Sequence, residues 1–455
     1  IGDYAFHNCL NLANINIPVS VETIGNYAFL MEGDSRLGTL TFALNSVLQQ
    51  IGNGAFSGLN SLTQIILPSS RLESIGDNIF NECLLLRTIE IEEGSNDYFT
   101  SINGVLYNSA ITTLIAYPAN NTINDRAYYV VPDEVEEIKA GAFSYPNIIG
   151  VRLSDSITKI EGFAFNSPKL QYIQFMGEQP PQFLSEIQFG DYTPTFIIVP
   201  EGARDNYDYF SDFTIIEGSL DYSYSYDSAT GYLYTIDTDE KLTLWGARNY
   251  LAEMVIPAAI GGYDVKTIGK HTFYKNLVIN GVTIPEGVET IDDFAFAKAE
   301  KLERVVLPNS LQEIGNNAFE NCLSLTEMVY SEDIELYTVG EEIFIETPWY
   351  DSEQEEFLLI GDVLFKYNGN GMRAVVPQEV KVIADNAFID KSNLTNIVLS
   401  EDLEIINDYA FFGCSGIFYI EIPQKVIYIG EKAFYECDSL YRIIMKSDIP
   451  PQLAS

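Results

Sequence analysis

A single string recurs along this chain. IGNNAFENCLSL at 314–325 has near-copies in IGDYAFHNCLNL at 1–12 and IGEKAFYECDSL at 429–440. Thirteen times an Ile or Val is followed five residues later by Phe: Phe6, Phe29, Phe56, Phe80, Phe143, Phe165, Phe273, Phe296, Phe319, Phe344, Phe388, Phe411 and Phe434. The residue before Phe is Ala in ten of these; Ile79, Thr272 and Ile343 are the exceptions. The spacing locks to 23 residues at 273–296–319 and 388–411–434, and the gap from 319 to 388 is three such periods. A unit this small cannot bury its own apolar face, so only stacking on its neighbours makes a continuous core.

The rest of the unit reads as local structure. A β-branched run ending in proline precedes the Ile: INIP at 15–18, VTIP at 282–285, VVLP at 305–308 and IEIP at 420–423. Alternating inward positions suit a short strand, and Pro closes it because it cannot donate to a ladder. An apolar pair at spacing three follows, as in Val21/Ile24, Val288/Ile291 and Val426/Ile429, and predicts a short extended stretch on another wall. The next segment (GNNAFENC) predicts about one helical turn, its Ala letting backbones approach while Phe fills the interior. Stacked coils then predict a solenoid with a parallel sheet along one wall; eight coils at ~4.8 Å per strand make a wall about 40 Å long. The Gly after the Ile is replaced by Lys139, Glu161, Asp292, Ala384 and Asn407, so that position does not demand a positive φ.

The consensus Leu-x-x-Ile-x-Ile-Pro-x-x-Val-x-x-Ile-Gly-x-x-Ala-Phe-x-x-Cys-x-x-Leu resembles the BspA-type (Treponema pallidum-type) leucine-rich repeat of bacterial surface proteins. The resemblance covers nearly the whole chain. It implies an α/β leucine-rich repeat solenoid, strand-rich, with a parallel sheet on the concave wall and single helical turns elsewhere. It also implies an extracellular or cell-surface location and adhesion to host matrix proteins or neighbouring microbes.

The repeats stop after Phe165 and resume at Phe273. Within 176–218, the Pro-Pro opening, FIIVP and ARDNYDYF resemble the family's C-terminal cap, which would cover the raw apolar end of a solenoid. The alternating segment after it resembles an N-terminal lead-in. Two tandem arrays are therefore expected: 1–218 with its cap at about 176–218, and 219–455 with a lead-in at about 219–267. MKSDIPPQLAS at the end reads as the start of a second cap. Ile1 falls in mid-repeat, so a longer parent chain is expected, with any targeting segment upstream. In each half an Ile-Phe variant is followed by a shared element, FTSINGVLY at 99–107 and FLLIGDVLF at 357–365. Each is expected to be a hairpin-like insertion projecting from the coil, since Asn103-Gly104 favours a tight turn.

With 47% apolar and 13% aromatic residues the chain folds despite a formal charge of −40, from 65 acidic and 25 basic residues. That charge repels phosphate backbones and anionic lipid, excluding nucleic acid as a partner and keeping a large surface soluble. No apolar run of eighteen exists, so no membrane insertion is expected.

Chemistry is sparse. Cys9, Cys83, Cys322, Cys414 and Cys437 each lie three residues after the repeat Phe, a pattern imposed by the coil that predicts buried thiols. Cys414 and Cys437 share a slot in adjacent coils, which leaves a disulfide as the minor alternative. The two histidines, His7 and His271, lie within coils, and no metal-ligand, phosphate-loop or nucleophile motif is present. Asp237-Thr-Asp239 reads as a polar hairpin rather than a calcium loop, and Asp351, Glu353, Glu355 and Glu356 as a solvated loop rather than a weak calcium site. No carboxylate pair stands out for glycoside hydrolysis. No enzyme, cofactor or metal is expected.

A partner is expected on the strand wall, at the outward positions beside the inward residues. One row runs Asn14, Gln64, Thr88 and Tyr172, then Arg304, Glu327, Asn396, Tyr419 and Arg442. Tyr and Arg dominate interface anchors, which singles out Tyr172, Arg304, Tyr419 and Arg442, with Tyr419 and Arg442 preferred because they stand one coil apart. The second row carries Val306, Val329, Val398 and Ile444, a binding stripe or merely good strand formers. Tyr222, Tyr224 and Tyr226 form an aromatic strip or pack the lead-in against the cap. The expected function is adhesion to an extracellular protein or glycan. The alternatives are a rigid spacer displaying another domain and, last, a polysaccharide-active enzyme.

Overall fold

The computed structural model describes residues 1–94, 96–124, 127–183, 196–210, 213–218, 224–331, 334–351, 355–447 and 449–453. The chain divides into two compact units, Ile1–Tyr222 and Ser223–Ser455. In each, one repeat makes one winding with three walls.

The β-branched runs form the first wall. Gly281–Thr283, Arg304–Val306 and Glu327–Val329 pair in parallel, with Gly281 opposite Arg304 and Arg304 opposite Glu327. Alternate side chains face in: Ile65 and Leu67 from Gln64–Leu67, Ile420 and Ile422 from Tyr419–Ile422. The second wall is the expected extended stretch, a ladder of two-residue strands such as Thr290–Ile291 on Glu313–Ile314.

The third wall is not helical. The residue two before the repeat Phe has a positive φ in every copy, among them Tyr4 (54°), Phe294 (54°) and Lys432 (50°). These left-handed residues aim alternate N–H groups at the next winding. Phe294, Phe296 and Lys298 donate to the carbonyls of Asn316, Ala318 and Glu320 at 2.9, 2.8 and 2.7 Å, while Ala295 and Ala297 close tight turns on carbonyls three residues back. A helical turn would aim its N–H groups at carbonyls within its own segment and leave the wall unzipped. The fold is therefore a strand-rich β-solenoid rather than α/β. Among the described residues the α-helical content is Pro348–Asp351, and a 3-10 helix spans Arg204–Phe210.

The phenylalanines share the interior. Phe273, Phe296, Phe319 and Phe344 stack at centroid distances of 4.8, 5.1 and 5.4 Å, and Phe388, Phe411 and Phe434 at 4.9 and 5.1 Å. Phe6, Phe29, Phe56 and Phe80 form another column, and Phe143 and Phe165 a shorter one. Where an insertion interrupts the repeat, Tyr117 and Tyr367 supply the ring, stacking on Phe143 and Phe388. All thirteen rings are buried except Phe6 and Phe434, which are half-buried.

The insertions are hairpins, Phe99–Ile102 with Val105–Asn108 and Phe357–Ile360 with Val363–Tyr367. Asn103 and Gly104 make the first tight turn, both at positive φ. Neither hairpin projects. Val105–Asn108 pairs with Thr113–Ala116 and Val363–Tyr367 with Val382–Ile383, so both join the second wall. Val105, Leu106, Val363 and Leu364 are fully buried, and water is no place for so much apolar surface.

The repeat glycine has no positive φ, as the substitutions imply; its reason is a close approach. The side chain one residue after the glycine reaches across to the next winding's backbone. Asp3 Oδ1 accepts from Asn26 N–H, Asn26 Oδ1 from Asn53 N–H, and Asn316 Oδ1 from Glu341 N–H at 2.8 Å. A Cβ on Gly25, Gly52 or Gly340 would lie within 2.8 Å of that oxygen. Glu161 and Asp292 follow windings that carry Ala140 and Lys270 at the reaching position, where neither Asp nor Asn stands, and Ala384 follows the second insertion, donating its N–H to the Leu364 carbonyl at 2.9 Å. Lys139 follows the first insertion. Nothing in the structure explains Asn407.

The cysteines follow the same logic. All are free. The thiols of Cys83, Cys322, Cys414 and Cys437 donate to the carbonyls of Phe56, Phe296, Phe388 and Phe411, each one winding earlier. Those four are buried as expected, whereas Cys9 is exposed.

Candidate functional site

The expected anchors fall into three situations. Tyr419 and Arg442 are both exposed and directly paired in register on parallel strands Tyr419–Ile422 and Arg442–Met445. Arg304 is half-buried and spends its Nε on Glu327 at 3.2 Å, an exposed pair of little energetic value. Tyr172 is only 2% exposed, so it is not an accessible anchor. Its ring lies across Gly150 on the neighbouring strand, where a Cβ would meet the ring at 2.0 Å. The missing side chain at Gly150 lets the ring fold flat against the sheet. A glycine opposite the tyrosine, 22 residues earlier, was the available signal.

Around Tyr419 the structure gathers a larger face. Arg373 stands opposite Asn396, and Asn396 Nδ2 donates to the Tyr419 hydroxyl at 3.4 Å, so one row runs Arg373, Asn396, Tyr419, Arg442. Arg373 was missed because its strand, Arg373–Val375, begins just after the irregular insertion; its position 23 residues before Asn396 identifies it. Beside the row lie exposed Met372, Phe418 and Tyr441, and on its other side Val375 and Val398. Arg373 pairs with Asn396 and Tyr419 with Arg442 on two separate two-stranded parallel ladders, which the Asn396–Tyr419 side-chain bond links. Neither arginine pairs with a carboxylate among the described residues, although acids outnumber bases 65 to 25.

Other expected features resolve as structure. The Asp237 carboxylate accepts from the N–H groups of Asp239 and Lys241, closing its own hairpin. Asp351 pairs with Lys366 at 3.3 Å, and Glu353 lies outside the described residues. Among the described residues no cluster of His, Cys, Asp or Glu has metal-binding geometry. Tyr224 is buried edge-on against Trp245, whose Nε1 donates to Thr235, while Tyr222 lies outside the described residues. No helix among the described residues is long and apolar enough to cross a membrane.

Comparison with solved structures finds matches to bacterial proteins. The pneumococcal vaccine antigen PcpA is 20% identical, with 87% of this chain and 67% of that chain covered and a TM-score of 0.33. A leucine-rich repeat protein from Eubacterium ventriosum is 19% identical, covering 76% and 80%, with a TM-score of 0.34. A leucine rich cell surface protein from Faecalibacterium prausnitzii is 21% identical, covering 98% and 83%, with a TM-score of 0.23. No curated protein matches. The sequence model of the BspA type leucine rich repeat region matches residues 1–131, 126–189, 260–351 and 359–450, the greater part of the chain. With its repeats, stacked rings and turn ladder on the same windings, the chain belongs to the BspA-type leucine-rich repeat family.

Proposed function

We propose that this protein is a non-enzymatic, extracellular binding module that uses its strand wall to hold a protein or glycan ligand. The observation that carries the reading is the row Arg373, Asn396, Tyr419, Arg442: two exposed guanidinium groups without carboxylate partners among the described residues stand on either side of an exposed tyrosine. Arginine and tyrosine are the side chains from which hot spots are most often built, and rigid strands lower the entropy cost of binding. The unpaired cations favour a ligand that presents carboxylates. Location at the cell surface is in keeping with the family. We read the two compact units as tandem arrays, the first closed by a cap at about 176–218 and the second opened by a lead-in at about 219–267.

The test is the double variant Tyr419→Ala/Arg442→Ala, applied to whatever ligand an array of matrix proteins and acidic glycans reveals. At about 2 kcal/mol per anchor the double variant loses about 4 kcal/mol, so affinity falls roughly 1000-fold, with circular dichroism and melting unchanged. Unchanged affinity moves the site elsewhere. A wild type that binds nothing on a broad array supports the spacer reading instead, and turnover of a polysaccharide overturns the non-enzymatic one.

A further inference from the structure

We infer that the second unit carries a separate cleft in its third wall, between the windings of Phe344 and Phe388, that binds an extended peptide segment bearing a Lys or Arg side chain. The cleft exists because the second insertion wedges these windings apart. On either side of it the wall is zipped. Asn317, Phe319 and Asn321 donate to the carbonyls of Glu341, Ile343 and Ile345 at 2.9 Å, and Asn386, Phe388 and Asp390 to those of Asp408, Ala410 and Phe412 at 3.3, 2.8 and 2.8 Å. In between, the N–H groups of Glu342, Phe344 and Glu346 have no acceptor among the described residues. At the matching junction of the first unit one of these three bonds forms, from Asn78 N–H to the Ala140 carbonyl at 3.1 Å, while the N–H groups of Phe80 and Glu82 have no acceptor among the described residues.

The open junction has room, apolar surface and one sign of charge. A cavity of about 380 Å³ is lined by Ile345, Tyr350, Phe365, Ala384, Asp385 and Ile389, among others. Ile345 and Ile389 are 38% and 42% exposed, large aliphatics left at the mouth of a break in the wall. A second hollow of about 320 Å³ shares Gly340 and Asp385 and adds Asp293, Glu313, Glu341 and Asp408. Among the described residues no Lys or Arg lines either.

These features specify the ligand. Three donors on alternate residues, held by tight turns that Ile345 and Thr347 close on the Glu342 and Phe344 carbonyls, offer a bound peptide backbone the hydrogen bonds that the next winding takes up elsewhere in this wall. Its alternate aliphatic side chains meet Ile345, Phe365 and Ile389, and its cation meets the carboxylates. Around Asp385 stand Glu341, Glu342 and Asp408, with Tyr350 and Tyr428. Burial first, and then those three acids, push the Asp385 carboxyl up to about 7. Binding of a cation therefore strengthens above neutral pH, where Asp385 ionises.

The experiment uses the full chain labelled with nitrogen-15 at Phe and Glu, titrated with acetyl-Val-Lys-Val-Lys-Val-amide and with its Glu-for-Lys counterpart. The lysine peptide should shift the Phe344, Glu342 and Glu346 amides saturably, about tenfold more tightly than the glutamate peptide and more tightly at pH 8 than at pH 6. Ala384→Trp, which fills the cavity, should abolish the shifts. Asp385→Asn, which preserves size, should weaken them and flatten the pH dependence, and it serves if the tryptophan variant does not fold. Tyr419→Ala/Arg442→Ala should leave them unchanged, separating this cleft from the strand wall. Absent shifts at millimolar peptide, or equal shifts with both peptides, overturn the proposal.

Discussion

Gly340→Ala tests why the repeat keeps a glycine whose backbone angles any residue can adopt. An added Cβ would sit 2.4 Å from the Asn316 nitrogen, 2.6 Å from the Gly315 carbonyl carbon and 2.7 Å from Asn316 Oδ1. Two of these contacts are backbone, so the winding itself must move by several tenths of an ångström. Overpacking of this kind costs about 1–3 kcal/mol. The shift also threatens the 2.8 Å bond from Glu341 N–H to Asn316 Oδ1, adding about 0.5–1.5 kcal/mol. Reduced freedom of the unfolded chain returns about 0.4–1 kcal/mol, leaving a net loss of about 0.5–4 kcal/mol. Asn316→Ala removes the bond without the clash and should cost about 1 kcal/mol. Repeat arrays unfold locally, so amide hydrogen exchange is the assay, with urea unfolding as the global check. Glu341 N–H should lose about fivefold in protection in Asn316→Ala, and more in Gly340→Ala. If Gly340→Ala matches the wild type in both measurements, the close-approach argument is wrong.

Two further outcomes follow from titrating groups. Burial pushes the thiols of Cys83, Cys322 and Cys414 up to about 12, so a native chain at pH 8 should release colour with Ellman's reagent rapidly from exposed Cys9 alone, and from all five cysteines in denaturant. Rapid reaction of a second thiol contradicts the buried slot. Asp385 is raised by burial, then by Glu341, Asp408 and Glu342, from 3.8 to about 7, so the folded state holds a proton that the unfolded state has already lost. Its contribution is full below about pH 4 and is lost as pH rises through about 7, hence Asp385→Asn should gain stability over the wild type progressively across that window. A melting-temperature difference that does not vary with pH rules this out.

Much of the architecture was readable at fixed spacing. The Phe column, the inward residues of the strands and the shared thiol slot all repeat with the winding, because each occupies the same place against an identical neighbour. The turn wall was misread because GNNAFENC looks helical in isolation, whereas its N–H groups find better use on the next winding. Tyr172 was misplaced for a related reason. Its burial depends on Gly150, one strand away, not on anything adjacent in the chain. Arg373 was overlooked because an insertion hides the period just before it.

The chain's own order of residues determined that there would be windings, what fills them and which positions face outward, since period and alternation are properties of a single strand of text. Tertiary structure decided what passes between windings: the ladder of left-handed turns, the reach of Asp and Asn over glycine, and the place where that ladder stays open beside Phe344. Those depend on hydrogen bonds between residues some 21 to 27 positions apart in adjoining windings, and 62 across the first insertion, and they form only when the coils are stacked.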